Sequence, residues 1–166
     1  MLDVQFEPVE CRMHSSGMQF VGNLQIANIM DAQKDSEALI HLFRHLDSGV
    51  ERPGLQELLD DPHSITLFLR KIKPQGVIEY QEIVGLAILT RISDSDKGVM
   101  TMALHSRYEG YRIEDTMIES MITISRNLGI KKLEILIDSR RGELPGALLA
   151  HGFRLFVRSE LYKSNL

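Results

Sequence analysis

With 166 residues, 43% hydrophobic and 25% charged, the chain is sized for one domain with a substantial core and is too short for two ordinary ones. A net charge of -4 argues against a nucleic-acid partner, and no apolar run approaches the roughly 20 residues that span a bilayer, so no membrane partner is expected. Cys11 stands alone, which excludes a disulfide framework and a thiolate metal cage and points to a reduced, cytoplasmic setting, in keeping with a start (Asp3, Glu7) unlike a signal peptide's.

Residues 1–22 read as an N-terminal extension. Leu2, Val4 and Phe6 alternate with polar residues as a short strand would; His14 to Gly17 break the pattern, and Met18 to Val21 are a brief apolar return. An added edge strand and an arm packed on a neighbouring subunit are both open. Cys11, within this stretch, is either a small buried hydrophobe or a nucleophile.

Residues 23–166 carry a clearer grammar. Leu24, Ile26 and Ile29 suggest a first strand. Asp35 can cap a helix that gathers Ala38, Leu39, Leu42, Phe43 and Leu46 on one face. Asp47-Ser48-Gly49 ends it, and Pro53 suits the first turn of a short helix over residues 54–59. Residues 64–73 alternate as a strand, Pro74-Gln75-Gly76 signals a turn, and residues 77–80 extend the hairpin as a loop. Residues 82–92 form a nearly continuous apolar run, expected to be central in a sheet, and residues 99–104 complete an antiparallel meander.

A helix is predicted over residues 113–127, with Ile113, Met117, Met121, Ile124 and Leu128 on one stripe and Gly129 as its C′ residue. Residues 132–138 read as a buried strand, Pro145 begins a short helix, and a last strand pair runs to Tyr162. The fold class is α+β: a mixed, mostly antiparallel sheet flanked by helices. A strand that ends at a helix N-terminus leaves unpaired backbone N–H groups facing an anion. Here that turn carries Glu109, Glu114 and Asp115, the wrong sign for a phosphate.

Taken in order, these pieces resemble the GNAT superfamily, the acyl-CoA-dependent N-acyltransferases, over about residues 23–162. The motifs are Ile83-Val84-Gly85 at the start of a long strand, Leu104 to Gly110 (LHSRYEG) at the strand-to-helix turn, Leu133 to Ile137, and His151-Gly152-Phe153 after the last helix. The resemblance implies a GNAT-like sheet and acetyl-CoA or another acyl-CoA as co-substrate, held at the turn by Leu104, Gly110, Tyr111, Arg112 and Ile113. A splay between the strands at Leu104 and Lys132 would support a thioester slot, and a closed gap filled by side chains would support a binding module instead. The family's turn reads Arg/Gln-x-x-Gly-x-Gly/Ala; laid on this chain, its basic position is Glu109 and its glycines are Arg112 and Glu114. Arg107 and Arg112 would offset part of that acidity. The Tyr that protonates the leaving thiolate in the family corresponds to Leu148, and an Asn near pantetheine to Arg141. The turn is therefore degenerate, as it is in GNAT-like domains that serve glyceryl transfer to carrier proteins, whose helix start is similar to Arg112-Ile113-Glu114-Asp115.

Within that resemblance His105 is the candidate general base and Tyr108, with Ser106 beside it, the candidate donor to the thiolate. Glu79, Tyr80 and Glu82 are candidates for acceptor recognition. His41 and His45 have the i, i+4 spacing of metal ligands, yet no HExxH pattern accompanies them and no metal is expected. The function expected is an acyl-CoA-dependent N-acyltransferase, an acetyltransferase in the first instance, acting on a small-molecule or protein amine by direct attack on the thioester. The alternative is a catalytically inactive binding module of the same fold that meets a carrier protein or a partner subunit; a homodimer would be one such assembly.

Overall fold

A computed structural model describes residues 9–14, 20–27, 32–44, 57, 60–72, 78–108, 110–136, 144–156 and 161–165. Eight strands form one sheet: β1 (Val9–His14), β2 (Phe20–Ala27), β3 (Ser64–Ile72), β4 (Ile78–Arg91), β5 (Lys97–Leu104), β6 (Lys132–Leu136), β7 (Arg154–Phe156) and β8 (Leu161–Asn165). The helices bounded among the described residues are α1 (Ala32–Phe43), α2 (Ile113–Asn127) and α3 (Leu144–Ala150). Strand order is β1-β2-β3-β4-β5-β6-β8-β7, and among the described residues only β5 and β6 pair in parallel. Among the described residues no helix is long and apolar enough to cross a membrane.

The mixed α+β architecture agrees with the sequence reading, with local corrections. The N-terminal strand lies at Val9–His14 and pairs antiparallel with β2 as an edge of the same sheet; residues 2–6 lie outside the described residues. The second strand opens at Phe20, and β4 opens at Ile78, so the stretch expected as loop is strand. Nearly all of the helix expected over residues 54–59 lies outside the described residues.

Period-two alternation sorts the core onto two faces. On one, Ile65, Leu67 and Leu69 of β3 meet Met117, Ile118 and Met121 of α2. On the other, Phe68 of β3 and Leu86 of β4 meet Ala38, Leu39 and Leu42 of α1. A bulge interrupts the β3–β4 ladder: Leu69 pairs Gly85 but Arg70 pairs Ile83, so Val84 is the extra residue. The extra residue flips the alternation, which is why Ile83 and Leu86, three apart, share the α1 face while Val84 and Ala87 share the other.

The start of α1 is fixed by charge. The helix begins at Ala32, so Asp35 is not its cap but lies in the first turn. Its carboxylate takes a two-pronged hydrogen bond from Arg70 of β3, Nη1 to Oδ1 and Nη2 to Oδ2 at 2.7 Å each, with both side chains fully buried. The C-terminus of α2 closes as the sequence predicts. Gly129 takes φ 73, its N–H donates to Arg126 O, and Ile130 N–H donates to Ser125 O, the paired bonds of a Schellman motif. Arg91 at the end of β4 adds a side-chain hydrogen bond to Leu128 O at 2.9 Å.

Candidate active site

Among the described residues, the parallel pair β5–β6 is laddered over four positions. Lys97, Gly98, Val99 and Met100 pair with Lys132, Leu133, Glu134 and Ile135, and there the ladder stops. Beyond it, β5 continues to Leu104 paired with β4 (Gly85 opposite Leu104), while β6 continues to Leu136 paired with β8. Among the described residues, Thr101 to Leu104 thus have ladder partners on the β4 side alone. Lys132, expected at the opening, pairs with Lys97 inside the ladder, and among the described residues the stretch of β5 without a ladder to β6 begins after Met100. Two features hold Leu104 to β4. Gly85 permits close approach, since a Cβ there would come within 3.0 Å of Ala103 O. The bulged Val84 offers its carbonyl to the His105 N–H at 2.7 Å.

His105 follows directly and is 8% exposed. Its Nδ1 accepts the backbone N–H of Arg107 at 3.1 Å, which places the proton of the neutral ring on Nε2. The chain then makes a 3-10 turn, Ser106–Tyr108, closed by the Tyr108 N–H on His105 O at 2.9 Å. The Tyr108 ring meets the imidazole edge-on, centroids 5.9 Å apart and planes at 85°. The structure therefore brings both sequence-predicted catalytic candidates together. Glu109 lies outside the described residues.

Gly110 takes φ 85 with open space around its Cα, so glycine serves the dihedral angle here rather than clearance. Tyr111 O accepts the His14 N–H at 3.0 Å, which ties edge strand β1 to the turn. Arg112 is the N-cap of α2 in the left-handed region, φ 60 and ψ 31, and makes no side-chain capping bond. It thus adopts, as an arginine, the conformation a glycine reaches without strain. Ile113 is fully buried as the first residue of the helix, whose first N–H groups have no partner within it.

The acidic residues of this turn part company. Glu114 is 7% exposed and turns inward toward β1, where its charge and the burial of Cys11 act on the thiol. Burial first, opposed by a Thr116 hydrogen bond and reinforced by Glu114, pushes the Cys11 thiol up to about 11. Cys11 is therefore protonated and buried, an inert hydrophobe. Asp115 turns toward α3: its Oδ1 lies 3.1 Å from Nε2 of His151.

Leu148, at the position of the family's acid, is fully buried in the α2-side core. Arg141 and His45 lie outside the described residues, as do the side chains of Glu79 and Tyr80; His41 is exposed on α1. Glu82 forms an exposed ion pair with Lys71 at 3.5 Å. Sequence reasoning missed the Asp35–Arg70 and Asp115–His151 pairs. The first had a signal: an Arg at an inward position of an alternating strand needs a buried counter-ion. The second had none, because it joins two elements that only the tertiary fold brings together.

No protein-family model and no curated protein sequence matches the chain. Solved structures do. The GNAT domain of S. lividans PAT aligns over 95% of this chain and 97% of that one, with a TM-score of 0.67 and 12% identity. The PaiA N-acetyltransferase of Thermoplasma acidophilum, in complex with coenzyme A, aligns over 86% of this chain and 99% of that one (TM-score 0.62, 12% identity). Mycobacterium smegmatis RimJ, in complex with CoA-disulfide, aligns over 96% and 87% (TM-score 0.61, 11% identity). The chain has the GNAT fold.

Proposed function

We propose that the protein is an acyl-CoA-dependent N-acyltransferase, transferring an acetyl or similar group to an amine by direct attack on the thioester. The observation that carries this reading is that, among the described residues, β5 runs on from Met100 to Leu104 without a ladder to β6, and the chain then passes through a turn into the N-terminus of α2. That arrangement offers an extended ligand a strand edge and offers its phosphates a helix N-terminus. Coenzyme A in two of the similar structures supports it.

In this reading the backbone around Leu104 holds the acyl and pantetheine portion. The turn from Gly110 through Tyr111, Arg112 and Ile113 holds the pyrophosphate, with the Arg112 guanidinium in place of a more usual basic residue at position 109. Leu148 is buried and cannot give a proton, so proton delivery falls to Tyr108 and His105. With Nδ1 engaged by the Arg107 N–H, His105 acts first as a donor through Nε2; it takes up the amine's proton only by giving up that bond. The acceptor is a small-molecule or protein amine, and the reduced state of Cys11 suits a cytoplasmic setting.

Calorimetric titration with acetyl-CoA tests the reading. Saturable binding at one site, with His105→Ala slowing transfer far more than it weakens binding, is the expected result. Absence of heat and of any thermal shift at millimolar acetyl-CoA and longer acyl-CoAs would overturn it. The full burial of Leu148 favours, as a second reading, a binding module of this fold for a carrier protein or partner subunit, and that outcome would leave it standing.

A further inference from the structure

An acid in the first turn of a helix has two ways to spoil an anion site. Its charge repels the ligand, and its oxygens compete for the same N–H groups. Glu114 is buried toward β1, where its charge acts on Cys11. Asp115, the third residue of α2, is 37% exposed in its side chain and is the acid that could turn back on the turn. It is drawn the other way by His151, which follows α3 directly. The His151 N–H is shared by Ala147 O and Leu148 O at 3.1 Å each, and Gly152 takes φ 89 after it, so the ring's place is set by the end of the helix. From there Nε2 reaches Asp115 Oδ1 at 3.1 Å, with His151 19% exposed.

We propose that His151 is a positioning residue for acyl-CoA. It holds the Asp115 carboxylate toward α3, which keeps the N-terminus of α2 open to the ligand's phosphates. The inference rests on the acyl-CoA reading above and adds to it a residue that touches neither the thioester nor the phosphates. Of the two described acids at this helix start, Glu114 is buried and Asp115 is held.

A substitution cycle with acetyl-CoA as the probe tests it, with thermal melting of the ligand-free proteins as the control for folding. His151→Ala is expected to weaken acetyl-CoA about tenfold, the scale of one uncompensated charge a few ångströms from another. Asp115→Asn is expected to bind at least as tightly as the wild type, and Asp115→Asn with His151→Ala to bind like Asp115→Asn alone. A purely structural His151 would instead cost the same in both backgrounds. Equal losses in the two backgrounds, or no loss in His151→Ala, overturn the inference while leaving the acyl-CoA reading intact. Should His151→Ala fail to fold, Asp115→Asn decides alone, and weaker binding than wild type overturns the inference. Failure of the wild type to bind overturns both.

Discussion

Arg112 occupies the left-handed region, φ 60 and ψ 31, at a cost of roughly 1–2 kcal/mol for an L-residue with a Cβ. Glycine would relieve that strain and lose part of the gain to the freer unfolded chain, which sets the net at about 1 kcal/mol. The same change removes the guanidinium assigned to the ligand's phosphates. Arg112→Gly should therefore raise the melting temperature of the free protein while weakening acetyl-CoA about tenfold, a charge-assisted hydrogen bond's worth. Affinity that rises along with stability would show that the arginine obstructs the site. At this scale the sequence was legible in identity but not in direction. It shows acids at Glu114 and Asp115; that one faces Cys11 and the other His151 depends on β1 and α3, which are far away along the chain.

Between elements, the attachment of α1 to the sheet rests on a fully buried ion pair set beside apolar packing. Asp35 and Arg70 are both inaccessible to water, and the Arg70 guanidinium carbon lies 5.5 Å from the Phe68 ring centroid. Removing one partner strands a buried charge, which typically costs about 3–5 kcal/mol, whereas replacing both with apolar residues of similar volume is often neutral or better. Denaturant unfolding should accordingly show Asp35→Leu to be destabilised by about that amount and Asp35→Leu with Arg70→Met to recover most of it. A double variant no more stable than the single one would mean that the pair is needed for α1 to dock at all. Elements whose signals are local were readable. The apolar stripe of α2 and its Gly129 stop gave the observed bounds, Ile113–Asn127. The bulge at Val84 was not readable, because Ile-Val-Gly looks the same in a regular strand. Nor was the register of β1, which only its pairing with β2 determines.

Across the described residues, two core faces and one parallel pair set where a site can form. The ladder between β5 and β6 runs to Met100 and Ile135, which leaves an opening along residues 101–104 among the described residues, and the turn into α2 follows along the chain. The order of elements made the fold recognisable from sequence, and the residues that usually mark its cofactor turn are replaced at Arg112 and Glu114. The central claim is that this opening and the turn above it take acyl-CoA. Hydrogen–deuterium exchange of the intact protein, with and without acetyl-CoA, measures that most directly. Slowed exchange is expected over residues 101–115 and at the end of β6, with α1 and β1–β3 unchanged. Slowed exchange confined to α1 or the edge strands, or none anywhere under saturating ligand, would contradict it.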